Sequence, residues 1–247
     1  MDTDGDRTSG LRVRPSLAVL VPVRDEARTL GAVLQGLLQG LPDNAELVVI
    51  DDGSRDASAE VARLRGVRVI AHEASRGYGA ALKTGIAATT APTVAIIDAD
   101  GTYTPSDLLR LLSLKRPGQM VIGARRVEPS LSRRLVKLLF RLQVAASTGR
   151  WAPDLNSGLR VFDRELALEL WPLLPDRFSF TTTMTLGALA RDMELCFAEV
   201  GYHRRVGGSS KFALLDALRF ARTVHRGCGW VRARRRQLSL RPGLESA

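Results

Sequence analysis

The sequence predicts an α/β fold, a mostly parallel sheet flanked by helices, and three observations carry that expectation. Short apolar, β-branched-rich segments recur at Leu17 to Val21, Glu46 to Ile50, Val67 to Ala71 and Thr93 to Ile97, the texture of strands buried on both faces. Between them lie stretches with helical spacing, so strands and helices alternate. Two of the strands also run straight into polar turns, Asp51-Asp52-Gly53-Ser54 and Asp98-Ala99-Asp100-Gly101, and ligands in open parallel sheets bind at such strand ends.

The first strand closes at Pro22, and the helix after it, Glu26 to Leu41, places Leu30, Val33, Leu34, Leu37, Leu38 and Leu41 on one face before Pro42. The pattern continues with helices over Ser54 to Arg65 and Tyr78 to Thr89, then a helix from about Pro105 to Leu114 that leads to a strand Met120 to Ile122. Beyond Gly123 the texture becomes more basic: a helix near Ser132 to Ser147, a loop Trp151 to Ser157 and a strand Gly158 to Phe162. Helices over Asp163 to Leu170 and Thr183 to Asp192 and a strand Glu194 to Val200 follow. A long basic amphipathic helix, Ala213 to Arg236 with a break near Gly227 to Gly229, ends the pattern. The chain divides into a tail (1–14), a main domain (15–212) and the basic helix with its tail (213–247).

With 247 residues, 45% of them hydrophobic and 25% charged, the chain is long enough for one sizeable core. Cys196 and Cys228 lie far apart and in no metal-ligand spacing, which fits a reducing, cytoplasmic setting. The polar N-terminus carries no apolar segment of the secretory kind. No run approaches the roughly 18 to 20 apolar residues of a membrane span, so membrane contact is expected to be peripheral. The net charge of +10 is concentrated toward the C-terminus, and something anionic is expected to meet that end.

The chemistry concentrates at the strand ends. Asp98 and Asp100 stand two apart after an apolar run, and carboxylates so close repel unless a cation joins them. A divalent ion of the Mg2+ or Mn2+ type carrying a diphosphate would relieve that repulsion, while a turn built on Asp-Gly chemistry is the structural alternative. In Asp51-Asp52-Gly53-Ser54-Arg55-Asp56, Ser54 or Asp56 can cap the next helix, which leaves Asp52 to accept hydrogen bonds from a nucleotide base or ribose. Gly77 to Lys83 reads as a glycine-softened helix start whose amides could approach an anion. For Arg160, beside Ser157, a phosphate partner is favoured over a purely structural role, because an Arg buried without an anion is costly. His72, His203 and His225 form no catalytic set.

The ordered set Val21-Pro22-Val23-Arg24-Asp25-Glu26, Asp51-Asp52-Gly53-Ser54, Arg76-Gly77-Tyr78-Gly79-Ala80-Ala81 and Asp98-Ala99-Asp100-Gly101 resembles family 2 glycosyltransferases of the GT-A type, a Rossmann-like fold. Gly123-Ala124-Arg125, Asn156-Ser157-Gly158-Leu159-Arg160 and Arg205-Val206-Gly207-Gly208-Ser209-Ser210-Lys211 are similar to the branch of dolichyl-phosphate mannose and glucose synthases. That resemblance implies that Pro22, Arg24, Glu26, Ile50 and Asp52 hold the nucleoside. It also implies that Asp98, Ala99 and Asp100 meet the sugar diphosphate and metal, with Asp98, Asp100 and Arg125 as the catalytic set. Arg125, Arg205 and Lys211 then face phosphates, and Ser157 and Arg160 line the acceptor side. Arg24 stands where many relatives carry an aromatic and Thr102 where many carry Gln or an acid, so base stacking and the third metal ligand stay unassigned.

The implied reaction is inverting transfer of a hexose from a nucleoside-diphosphate sugar, of the GDP-mannose or UDP-glucose type, to a polyprenyl phosphate. The phosphate nucleophile is already ionised near neutral pH and needs little help from a base. The basic C-terminal helix, with Leu, Phe and Trp among its arginines, suits an anionic membrane interface. A soluble sugar or glycan acceptor is the second reading. Nucleic-acid binding by the basic end is a third, disfavoured because strand-end carboxylates repel phosphates.

Overall fold

The computed structural model describes residues 14–125, 131–177, 179–201, 203, 221–230 and 233, with side chains of 131–137 not described. Seven strands form one sheet: β1 (Leu17–Val23), β2 (Ala45–Asp51), β3 (Arg68–Ala71), β4 (Thr93–Ile96), β5 (Gln119–Arg125), β6 (Arg160–Asp163) and β7 (Glu194–Val200). Their order is β3-β2-β1-β4-β6-β5-β7. The expectation of a mostly parallel sheet holds, since only β6 runs against its neighbours, pairing antiparallel with β4 and β5. Because β6 is reversed, its first residue, Arg160, lies beside Ile96 at the end of β4. A residue entering β6 therefore meets residues leaving β4, at the edge where the motifs gather.

Alternation along β1 divides the core. Leu17, Val19, Val21 and Val23 face the layer of α1 (Ala27–Gly40), α2 (Ser58–Arg63) and α4 (Pro105–Leu114), whereas Ala18 and Leu20 face α3 (Tyr78–Ala88), α6 (Arg164–Glu169) and α7 (Phe180–Ala190). Both faces are buried, which is why the strands read as continuous apolar runs rather than alternating ones. Helix α4 starts from a capping box, Thr104 with Asp107, behind Pro105. The sequence signal was complete there, and the predicted and observed boundaries coincide. Helix α7 instead begins three residues before its expected start, at Phe180, after Ser179 in the left-handed region with φ 76. Its run of threonines carried no helical start signal.

Helix α5 (Leu131–Thr148) and residues 221–230 close a third apolar cluster in which Val144, Leu186, Leu189, Val224 and Cys228 are buried. Residues 221–230 are continuously helical through Gly227 and Gly229, so the expected break there is corrected. A Cβ on Gly227 would lie 2.5 Å from Leu186 Cδ1 and 2.8 Å from Leu186 Cβ; the glycine lets this helix approach α7. The remainder of the predicted 213–236 helix, except residue 233, and the tail before Arg14 lie outside the described residues.

Gly227→Ala separates the two readings by sign. If the glycine merely interrupted a helix, alanine would stabilise by about 1 kcal/mol. Against Leu186 it is expected to destabilise by about 1–3 kcal/mol, read as a lower urea midpoint of the whole chain.

Candidate active site

The loops after β1 and β2 are stitched to each other. The Asp25 amide donates to Ser54 Oγ (3.0 Å), the Glu26 amide to Ser58 Oγ (2.9 Å), the Ala27 amide to Asp56 Oδ2 (2.9 Å), and the Arg55 amide to Asp25 Oδ1 (2.7 Å). Asp56 thus caps α1 from the neighbouring loop as well as receiving the Ser58 amide at 2.9 Å. Arg24 and Asp25 are left exposed at the rim, Glu26 is half-buried, and Pro22 is buried within β1. Ile50, expected in the nucleoside pocket, has no exposed surface and belongs to the core layer under α3.

Asp52 is spent inside the protein. Its Oδ1 meets His72 Nδ1 (2.8 Å) and accepts the Arg76 amide (2.8 Å), while Oδ2 accepts Ser75 Oγ (2.7 Å) and the Gly77 amide (2.9 Å). Both oxygens are fully engaged, so in this structure Asp52, expected at the base or ribose, shapes the 72–77 loop. Burial alone would raise its pKa, but these donors outweigh it and hold the carboxyl below its usual range. His72, which by sequence belongs to no catalytic set, completes this arrangement, with its Nε2 3.0 Å from Thr84 Oγ1.

At the start of α3, where the sequence suggested amides that could approach an anion, Ala80's amide donates to the Asp176 carbonyl at 2.7 Å, and a Cβ on Gly79 would collide with the Pro175 carbonyl. Gly79 serves close packing there, and the Ala80 amide is already used.

Asp98 and Asp100 emerge where β4 ends, both half-buried, with Ala99 buried between them. Ala99 is held through its carbonyl, which accepts Thr29 Oγ1 at 2.7 Å. Asp98 Oδ1 accepts the Tyr78 hydroxyl at 3.0 Å. Asp100 Oδ1 accepts the Thr102 amide (3.0 Å) and hydroxyl (2.6 Å). Thr102, the unusual residue at its position, therefore orients Asp100. The Thr102 carbonyl accepts the amide of His203 at 3.1 Å, which fixes that exposed residue beside the same turn.

Arg125 forms a two-pronged pair with buried Asp154, Nε to Oδ2 at 2.7 Å and Nη2 to Oδ1 at 2.9 Å, and also donates to Asn156 Oδ1 at 3.2 Å. Its charge is matched within the protein, a partner that the Gly-Ala-Arg motif did not disclose. Arg160 has 0% exposure and donates to the carbonyls of Ser157 (Nε, 3.1 Å) and Thr181 (Nη1, 2.8 Å). Desolvation lowers its pKa to about 10, opposed by Tyr78, Asp154, Tyr103 and Asp98. Ser157 is also fully buried, its hydroxyl 3.1 Å from Tyr103 Oη.

Arg160 and Ser157, expected on the acceptor side, are both engaged inside the protein in this structure. The anions that compensate Arg160 are protein carboxylates, and its donors are turned onto carbonyls. Arg205 and Lys211 lie outside the described residues.

Two carboxylates at a sheet edge fit a divalent ion that also takes substrate phosphates, because such ions need only one or two protein carboxylates beside them. Among the described residues no three His, Cys, Asp or Glu side chains gather as a metal cage.

Residues 18–171 match the family described as Glycosyl transferase family 2. An undecaprenyl-phosphate 4-deoxy-4-formamido-L-arabinose transferase of Aeromonas hydrophila is 29% identical over 213 residues; they make up 82% of this chain, which spans 64% of that protein. An uncharacterised glycosyltransferase of Mycobacterium tuberculosis is 30% identical over 201 residues, 79% of this chain and 89% of its own. A dolichyl-phosphate hexose transferase of Haloferax volcanii is 28% identical over 198 residues, 77% and 84% of the two chains. The solved structure of glucosyl-3-phosphoglycerate synthase from Mycobacterium tuberculosis, in complex with Mn2+, UDP and glucosyl-3-phosphoglycerate, superposes with a TM-score of 0.71 at 23% identity, covering 87% of this chain and 80% of that one. It has the same fold.

A structural role for Arg160 predicts that Arg160→Ala costs about 3–5 kcal/mol in urea unfolding, the scale for removing one partner from a buried charge group. Stability equal to that of the unsubstituted chain, with only a raised KM for a phosphorylated acceptor, would return Arg160 to the acceptor side.

Proposed function

Because the chain belongs to glycosyl transferase family 2 and is thus a glycosyltransferase, we propose that it moves a hexose from a nucleoside-diphosphate sugar to a polyprenyl phosphate, with inversion. Asp98 and Asp100 at the end of β4 are the donor-side groups, and the stitched loops carrying Arg24, Glu26 and the Asp52-held turn form the nucleoside side. Within the edge cluster the charges of Arg125 and Arg160 are balanced by Asp154 and Asp98. Among the described residues, Arg24 and Arg76 are exposed cations that can meet a diphosphate, and Arg205 and Lys211 remain part of the proposal as phosphate-facing groups. A divalent ion, Mg2+ or Mn2+, when bound with the donor, supplies charge neutralisation for the leaving diphosphate. Asp100, held by Thr102, would hold that ion together with Asp98. The attacking phosphate oxygen needs no general base, in keeping with a mechanism of positioning and electrostatics.

The observation that carries the lipid-linked acceptor is an apolar outer face. Leu138, Leu139 and Leu142 of α5 and the nearby Trp151 are exposed by 40–59%, where a soluble surface would carry polar side chains. The names of the Aeromonas and Haloferax relatives support the same acceptor class. Among the described residues no helix is long and apolar enough to cross a membrane, so the face would lie on the bilayer as a peripheral contact. The second reading, a small soluble phosphorylated acceptor, is favoured by the fold shared with glucosyl-3-phosphoglycerate synthase.

Nucleotide release from UDP- and GDP-hexoses, with and without a short-chain polyprenyl phosphate, tests both readings. Release is expected to require the prenyl phosphate and to vanish in EDTA. Asp100→Ala is expected to lower it on the order of a hundredfold or more at an unchanged melting temperature. Release driven by 3-phosphoglycerate and not by prenyl phosphate would favour the soluble acceptor, and full activity in EDTA would remove the metal.

The membrane face has its own test. Leu139→Asp with Leu142→Asp is expected to weaken co-sedimentation with anionic vesicles by tenfold or more, since each buried leucine is worth roughly 1.5–3 kcal/mol. Undiminished sedimentation would mean that α5 is not the contact.

A further inference from the structure

Asp98 is held from two sides by groups that belong to neither the nucleoside loops nor the acceptor side. The Tyr78 hydroxyl donates to Oδ1 at 3.0 Å. On the other side is Gly158. An added Cβ there would stand 2.7 Å from Asp98 Cγ and 2.8 Å from Oδ1, and would collide with Oδ2. The carboxylate thus rests directly against the Gly158 backbone, in the space a side chain would fill.

Tyr78 is fixed in its turn. It opens α3 immediately after Gly77, whose amide is held by Asp52 at 2.9 Å, and the Ala80 amide is held by the Asp176 carbonyl at 2.7 Å. His72 joins Asp52 to Thr84, two turns further along α3. The phenol is therefore tied to the end of β2 by one network and to the loop before α7 by another. A carboxylate torsion is otherwise broad and roughly two-fold, and the sequence around Asp98 contains nothing that would narrow it.

We propose that Tyr78 is a positioning residue that, with the bare backbone of Gly158 behind the carboxylate, fixes the orientation in which Asp98 meets the donor's diphosphate and its divalent ion. The inference rests on the donor-side reading of Asp98 and Asp100 given above. It assigns a task to a tyrosine within the Gly-Tyr-Gly segment, and it explains why position 158 has no side chain.

Tyr78→Phe keeps the ring and removes its hydrogen bond to Asp98. Mn2+ binding to the whole protein in the presence of UDP or GDP, followed by the electron paramagnetic resonance of free Mn2+, is expected to weaken roughly 10–100-fold, the range for losing a partner that orients a metal-binding group. Turnover should fall with it and need more Mn2+ for half-activation. Binding of the nucleotide without metal and the melting temperature should not change, a split that a general packing defect would not produce. Gly158→Ala should act in the same direction by displacing the carboxylate. Equal Mn2+ affinity in Tyr78→Phe and the unsubstituted chain overturns the proposal alone. Failure of the unsubstituted chain to bind Mn2+ with either nucleotide overturns the donor-site reading and this proposal with it.

Discussion

Arg160 is the first residue of the one strand that opposes the rest of the sheet, and it has no contact with solvent. A guanidinium so placed is tolerated only because carbonyls of Ser157 and Thr181 take its hydrogens and the charges of Asp98 and Asp154 lie near. The consequences spread outward. Asp154 also pairs with Arg125, which fixes the end of β5. Thr181 lies in the first turn of α7, so that helix is tied to the sheet edge through the same side chain. Asp98 serves this charge group while half-exposed at the cleft, which makes it the point where the fold's electrostatics and the site's meet.

The arrangement explains a division of labour that the motifs alone do not convey. Arginines inside the edge cluster are matched by carboxylates, so they set shape and local potential. Arginines at the rim, such as Arg24 and Arg76, remain in solvent, where they can meet phosphates without a buried-charge penalty. Asp52 shows the same economy among carboxylates. Four donors close around it, and the product is a rigid turn at the start of α3.

The sheet was legible because its strands are buried on both faces and so carry unbroken apolar runs, and α4 was legible because its capping box and proline are local signals. Locations of the site residues were legible for the same reason: strand ends are where such sheets present polar groups. Partners were not. Nothing near Arg125 in sequence announces Asp154, 29 residues away, and nothing near Arg160 announces the carbonyl of Thr181. A buried Arg needs anions near it, and for Arg160 the carboxylates of Asp154 and Asp98 are among the groups that supply them. Reversal of β6 was likewise invisible, because a four-residue buried strand reads the same in either direction. That reversal is what carries Arg160 to the end of β4.

The C-terminal helix shows how the same amphipathic pattern can be divided between core and surface. From sequence, its apolar residues among arginines suited a membrane interface. In residues 221–230 the apolar side is turned inward, with Val224 and Cys228 buried against α5 and α7, and Arg222, His225 and Arg226 point to solvent. Apolar area spent on the core cannot also be inserted into lipid, so this stretch offers a membrane charge rather than hydrophobicity. Helix α5 is the complement: Val144 is buried in the same cluster while Leu138, Leu139 and Leu142 remain outside. A basic surface beside an exposed leucine face combines the two forces that peripheral attachment to an anionic bilayer requires, long-range attraction and local burial. Helix α5 carries Arg133, Arg134, Lys137 and Arg141 along its own length, so in this reading it brings both forces itself, and the third apolar cluster sets the basic 221–230 stretch beside it.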